Sequence, residues 1–401
     1  MKILFVNNYW YMRGGAERVA FLEADMLREA GHEVAFFGMH DSRNVVDQTG
    51  FADGVHHAGL CRIRSAIRAI YNRNAVKAFR AALFRFRPDV VHCHNIYHHL
   101  SFAILGEARR AGVPVVLTLH DYKILSPNYR LFHNGKICTR GMDGRILQTV
   151  FHNCMGSFLQ SIGGAVEAFL RARHRYLCAV AAYIAPSAFL HDLCVAHGVP
   201  RAQLHHIENP YDGTDMFLQK NNGRAVVFVG RLSEEKGILL LLSAMKDLKD
   251  IPCLIAGDGP LKKQLVRIIK KEGLKNVQLL GRVEGEALLS VYASAKLLVL
   301  PSIWYENAPM SVLDGLSAGV ISIGSDIGGI PEMLSSDQLF ASGNSNALAE
   351  KIRFFIGMPK DDYNRVLLRE QQKIIGIHNI PKHLSSLLSI YGKVQAGFAP
   401  C

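Results

Sequence analysis

The segment "WYENAPMSVLDGLSAGV" (residues 304–320) holds the two acids of this chain best placed to do chemistry. Glu306 stands three residues before Pro309, and Asp314 lies eight positions beyond Glu306. Proline is favoured in the first turn of a helix, where its missing N–H would go unpaired anyway, and glycine ends helices. The pattern therefore predicts a helix from Pro309 to about Ala318, stopped by Gly319. Its start presents backbone N–H groups, those of Met310 and Ser311 among them, and so forms an anion site. A carboxylate beside an anion site is electrostatically misplaced unless it grips something attached to the anion. Hydroxyl groups fit, because an ionised carboxylate can only accept hydrogen bonds. Glu306 thus suggests a sugar phosphate, and Asp314, more than one turn further in, a second diol such as the ribose of a nucleotide. Taken alone, these residues leave open that Glu306 only caps the helix and that Asp314 is a solvated side chain.

Other loops narrow the choice. "VGRLSEEKG" follows a strand-like run and sets Arg231 and Lys236 five apart ahead of a helix, where two cations can neutralise a diphosphate. In "NNYWYMRGGAERVA", Gly14 and Gly15 let the backbone approach a ligand, and Glu17 falls at the start of the following helix. "TLHDYK" sets His120 and Asp121 at the carboxyl end of another strand. No Asp-x-Asp occurs, which argues against a metal-bridged nucleotide site of that kind. "GDGPLKK" fails as a dinucleotide fingerprint, since Pro260 intrudes and Lys262 stands where the third glycine belongs. His133, Cys138, His152 and Cys154 fall within 22 positions but lack the paired spacing of zinc motifs, so an ordered loop is expected there.

The elements that must position these residues are short apolar runs alternating with helical patterns. "ILFV" (3–6), "EVAFFG" (33–38), "DVVHCH" (89–94), "PVVLTLH" (114–120) and "YIAPS" (183–187) form one series. "AVVFVGR" (225–231), "CLIAGDG" (253–259), "VQLLGRV" (277–283), "KLLVLPS" (296–302) and "VISIGSD" (320–326) form a second. Such alternation marks βαβ units and parallel sheets covered on both faces. Two doubly wound α/β domains facing each other across a cleft follow, with a turn-rich linker near residues 209–222. In such sheets ligands bind at the carboxyl ends of the strands. At 401 residues, 49% hydrophobic and 20% charged, the chain suits two globular domains. No run of about 18 apolar residues is present, so no membrane span is expected. The start is too short for a signal peptide, and eight Cys suggest free thiols in a reducing cytoplasm.

The net charge of +12 is unevenly placed. Residues 1–200 hold 23 Lys and Arg against 14 Asp and Glu, whereas residues 201–401 hold 23 against 20. Residues 55–87 carry eight basic side chains, Arg62, Arg64, Arg68, Arg73, Lys77 and Arg80 among them, and no acid. Apolar residues recur three or four apart over much of this length, with a break around Asn72 to Asn74. A basic amphipathic helical region of this kind can be a solvated helix face, but the total absence of acids favours contact with an anionic membrane surface or a polyprenyl pyrophosphate. Nucleic acid is disfavoured, because no stacking platform or recognisable module accompanies the charge.

Taken in order, "GGAER", "TLHDYK", "VGRLSEEKG", "GDGP", "LLGRV" and Glu306 plus seven residues plus an acid before "GLSAGV" resemble family 4 of the retaining glycosyltransferases, which have the GT-B fold. The resemblance implies GT-B architecture: an acceptor-binding Rossmann-like domain over residues 1–208, a donor-binding one over 209–375, and a terminal helix, 376–401, packing back on the first. It implies transfer of a UDP- or GDP-linked sugar to an acceptor hydroxyl with retained configuration, with no metal and no cofactor beyond the nucleotide sugar itself. By position, Glu306 holds sugar hydroxyls, Asp314 the ribose, Arg231 and Lys236 the diphosphate, and Arg282 and Val283 the base. Gly14 and Gly15 close over the phosphates, and His120 sits by donor sugar and acceptor. Family members usually have Glu where this chain has Asp314, one methylene shorter. Together with an anionic membrane contact, the resemblance implies as acceptor a lipid-linked saccharide of a surface polysaccharide, and so an expected cytoplasmic protein at the inner face of the cell membrane. Epimerases and phosphorylases share the fold, and a non-catalytic sugar-nucleotide-binding subunit is a further alternative.

Overall fold

The computed structural model describes residues 1–53, 70–212 and 223–397. Two compact units emerge: Met1–His133, Cys138–Pro210 and Ile380–Cys401 form the first, and Asn134–Ile137 with Tyr211–Asn379 the second.

Unit one is built on β1 (Lys2–Val6), β2 (Glu33–Phe37), β3 (Val90–Cys93) and β4 (Val115–Thr118). After the two-residue strands β5 (Phe132–His133) and β6 (Lys136–Ile137), the sheet is completed by β7 (Val180–Ala185) and β8 (Leu204–His206). Its order is β2-β1-β3-β4-β7-β8, and every pairing is parallel. β3 and β4 are buried at every position, the pattern of strands covered by helices on both faces.

Unit two repeats the plan with β9 (Ala225–Val229), β10 (Cys253–Ala256), β11 (Val277–Gly281), β12 (Ala295–Leu300), β13 (Ile321–Ser325) and β14 (Leu339–Phe340). The order β11-β10-β9-β12-β13-β14, again all parallel, is the doubly wound dinucleotide-fold order, with the reversal between β9 and β12. Loops after β9 and β12 therefore lie where such sheets bind ligands.

β7 begins at Val180, three residues before the run that marks it in sequence, and β8 and β14 are too short to show periodicity. The break at Asn72 to Asn74 is a helix start. The Asn72 side chain accepts from Ala75 N–H at 3.1 Å and caps the helix Arg73–Phe86. Arg62, Arg64 and Arg68 lie outside the described residues. Arg80 departs from the free basic face expected of it: its guanidinium is paired with Glu107 at 2.7 Å. No helix among the described residues is long and apolar enough to cross a membrane.

The helix Ile380–Gly397 buries Leu387, Ile390, Tyr391 and Val394 in the core of unit one. Leu387 is fully enclosed. Leu387→Ala should therefore cost about 2–5 kcal/mol. Urea unfolding of the variant checks this, with a lowered midpoint for unit one and an unchanged one for unit two.

Candidate functional site

In unit two the chain leaves β9 through a loop that ends in a single 3₁₀ turn, Glu234–Lys236, and then enters the helix Ile238–Met245. Gly237 joins the two with φ +67°, and a Cβ there would collide with the Pro301 carbonyl oxygen just past β12. Glycine thus lets this loop sit against the loop after β12, where Ile303 N–H donates to Glu235 O at 3.0 Å. The seating brings Lys236 to Glu306. Its ammonium donates to both carboxylate oxygens, at 2.7 and 2.9 Å, and Ser302 O–H donates to the first of them at 2.6 Å.

Glu306 is only 5% exposed. Burial pushes its carboxyl up, but the Lys236 charge and the hydrogen bonds from Lys236 and Ser302 outweigh it and hold the group below its ordinary 4.5. Lys236 also lies 5.3 Å from the centroid of the Trp304 ring, a cation–π contact. Gly328, at φ +62°, wraps the backbone of Glu306 so closely that a Cβ would meet its N and O atoms, and Gly329 N–H donates to Glu306 O at 2.8 Å.

The remaining expected donor residues of unit two follow β9, β11 and β12. Arg231 is exposed, with no acidic partner among the described residues. The helix spans Met310–Ser317, so Pro309 is its N-cap rather than its first helical residue; ψ of 109° keeps Pro309 extended. Met310 and Ser311 open the helix, and Val312 N–H donates to Pro309 O at 3.1 Å. Asp314 is half-buried and accepts from Tyr211 O–H at 3.4 Å, while the same hydroxyl is hydrogen-bonded to Ser317. Arg282 is tied to Glu284 at 2.6 Å, and Val283 packs on the apolar core of the unit.

In unit one Gly14 is the N-cap of the helix Gly15–Glu29, with extended backbone open to any residue. A Cβ on Gly14 would meet only Glu17 Oε2, at 3.9 Å. Glycine here leaves room above the helix start, and no backbone strain calls for it. Glu17 is buried in the first turn, and burial raises its carboxyl.

His120 follows β4, and its Nε2 lies 2.9 Å from His94 Nδ1. His94 Nε2 in turn faces Glu23 Oε2 at 3.4 Å. Burial and the neighbouring His94 push His120 down to about 3, so it is neutral at pH 7. If His94 turns its Nε2–H to Glu23, its Nδ1 accepts from His120 Nε2–H, and His120 is left with an unprotonated Nδ1. Next to it, burial pushes Asp121 up to about 7, although Lys123 N–H donates to it at 2.9 Å.

Glu23, His92 and His94 form the only cluster of metal-type donors among the described residues. Both nitrogens of His92 are engaged, by Thr118 at 2.8 Å and Tyr391 at 2.7 Å, and the other oxygen of Glu23 meets His383 at 3.0 Å. The cluster reads as a hydrogen-bonded network with too few open donors for a metal cage. The Cys138 and Cys154 sulfurs lie 3.4 Å apart, and neither His133 nor His152 joins them in a metal-type cluster.

Sequence reasoning missed Ser302, Tyr211, Gly328, Glu23 and His94. Only His94 left a signal, as the second histidine of "VHCH", two positions from His92 and just past the end of the buried strand β3.

Two family models match this chain: glycosyltransferase family 4 over residues 13–214, and glycosyl transferases group 1 over residues 216–371. The sulfoquinovosyl transferase SQD2 of Arabidopsis thaliana is 26% identical over 290 residues, 67% of this chain but only 50% of the relative. A 42.6 kDa protein in the cps region of Klebsiella pneumoniae is 23% identical over 352 residues, 83% of this chain and 87% of the relative. Among solved structures, Anabaena HepE in complex with UDP and glucose superposes with a TM-score of 0.68 at 16% identity, over 98% of this chain and 100% of the other. The two Rossmann-like sheets and this likeness make the fold GT-B.

The Glu306–Lys236 pair carries a pH signature. A carboxyl lowered in the folded state adds stability above its unfolded value of about 4.5, and that contribution is lost as pH falls through the folded value. Wild type should therefore melt above Glu306→Gln at pH 7, and the gap should close as pH falls below 4.5. Melting curves across that range check it; a gap independent of pH would remove the pairing.

Proposed function

Because this chain belongs to glycosyltransferase family 4, we propose that it moves a sugar from a UDP- or GDP-linked donor to an acceptor hydroxyl, with retention and without a metal ion. The observation that carries this reading is the loop pair after β9 and β12, which brings Lys236 onto a buried Glu306 beside the helix Met310–Ser317 and leaves Arg231 exposed. Anabaena HepE, solved with UDP and glucose, supports the donor class. The cps-region relative supports a place in surface polysaccharide synthesis.

As the bond from the anomeric carbon to phosphate lengthens, negative charge grows on the diphosphate. Arg231, Lys236 and the N–H groups at the helix start are the donors that stabilise it, the kind of interaction that usually supplies the largest catalytic term. Glu306 has two tasks: it accepts from sugar hydroxyls and holds Lys236 in place. Asp314, supported by Tyr211, takes the ribose, and Arg282 and Val283 lie by the base. In unit one, Gly14 leaves room above the start of the helix Gly15–Glu29, and His120 is neutral and oriented by His94. The acceptor attacks from the face the leaving group departs, and its proton passes to the departing phosphate oxygen. The acceptor is a lipid-linked saccharide, so the protein works at an anionic membrane surface.

Incubating the purified chain with separate UDP- and GDP-sugars, with and without EDTA, tests the reading by chromatography of the released nucleotide. One donor should be turned over equally well with EDTA, and Glu306→Ala should lose at least about tenfold in rate, the equivalent of roughly 1.4 kcal/mol. Proton NMR of the product should show the donor's anomeric configuration. Unchanged turnover in Glu306→Ala would remove that residue from the site.

A further inference from the structure

The helix Phe158–Arg173 in unit one is amphipathic in the reverse of the usual sense. Its inward face is small or polar: Ser161, Ala165, Glu167 and Ala168 are buried, and Glu167 pairs there with buried Lys123 at 2.8 Å. Its outward face carries Phe158, Leu159, Val166 and Phe169, between 41% and 78% exposed. Leu159, Ile162, Val166, Phe169 and Arg173 follow one another at helical spacing along a single stripe. The preceding helix, Ile146–Phe151, packs against it and turns Thr149 inward, with Leu147 62% and Phe151 76% exposed. Six of the fifteen large apolar side chains exposed among the described residues thus fall within 23 positions. A soluble surface rarely concentrates them so.

Charge indicates what the stripe faces. Leu170 and His174, at the end of the same helix, line an open pocket of about 440 Å³ together with Tyr71, Arg73, Arg109 and Arg110. No acid lines it. Arg110 is paired with Glu107, whereas Arg73 has no acidic partner among the described residues. An apolar stripe running into an arginine-lined pocket matches a bilayer edge, where acyl chains lie beside anionic headgroups.

We propose that the helices Ile146–Phe151 and Phe158–Arg173 are the membrane-docking surface of unit one. Their apolar side chains enter the acyl boundary of an anionic bilayer, and Arg73 and Arg109 hold headgroup phosphates. The proposal rests on the membrane-held acceptor proposed above, but it uses a surface distinct from the basic helix that the sequence singles out, sharing only Arg73 with it.

The test is co-sedimentation of the full chain with phosphatidylcholine vesicles, with and without phosphatidylglycerol. Wild type should partition onto the anionic vesicles, less so as salt rises, and Leu159→Glu/Phe169→Glu should bind at least about tenfold more weakly. Phe354→Glu, at an equally exposed apolar position in unit two, should bind like wild type. Leu159→Trp, a fold-sparing probe, should blue-shift its fluorescence on anionic vesicles. Failure of wild type to sediment, undiminished binding by the double variant, or a lipid-free dimer lost in that variant would each overturn the surface. Nucleotide release assayed on the same samples separates the two readings: release without vesicle binding overturns the surface alone, and stripe-dependent vesicle binding without release from any donor upholds the surface while the donor reading fails.

Discussion

The second unit of this protein depends on a carboxylate kept ionised where burial disfavours charge. Glu306 sits almost out of water, and an isolated carboxylate there would take up a proton. The Lys236 ammonium, from the loop after β9, and the Ser302 hydroxyl, two residues past β12, prevent this. Gly237 lets the Lys236 loop sit against the end of β12, and Gly328 lets the loop after β13 close on the Glu306 backbone, each with a left-handed φ and no room for a side chain. The ion pair is thus the chemical outcome of two steric constraints. Since breaking a buried pair leaves an uncompensated charge, the loops after β9 and β12 are held to one relative geometry.

A different arrangement of charge stabilises unit one. Burial alone would raise the Glu23 carboxyl, yet the surrounding His92, His383 and His94 hold it well below the usual range. This network ties β3 to the terminal helix through His92 and Tyr391, and to the segment before the second unit through His383 and Glu208. At its rim, His94 orients His120, so the one histidine of the network that is not fully enclosed is positioned by residues far away in sequence. Burial that would be costly for one charge becomes a means of fixing a ring and its tautomer.

The two faces of unit one are in this sense complementary. Polar groups that sheets and helices normally turn to solvent are enclosed and paired, Glu167 with Lys123 as well as Glu23 with its histidines. Apolar groups that would normally be enclosed stand outside on the helix Phe158–Arg173. A helix stripe of this kind is consistent with a surface whose second solvent is lipid.

Much of this was determined by local sequence. Apolar runs followed by glycine-bearing loops specify parallel strands and their ends, and the six motifs in order specify the family, because each is set by residues adjacent in the chain. The helix after Pro309 was legible for the same reason, to within one residue. What only tertiary structure decided is which side chains meet: Lys236 with Glu306, Tyr211 with Asp314, His94 with His120, Arg80 with Glu107. These partners lie between 26 and 103 positions apart, and their contact follows from sheet order and loop seating, which no local pattern encodes. The direction a helix turns its apolar stripe belongs here too: periodicity shows that Phe158–Arg173 has two faces, and only packing against Lys123 and its neighbours determines that the polar one goes inside.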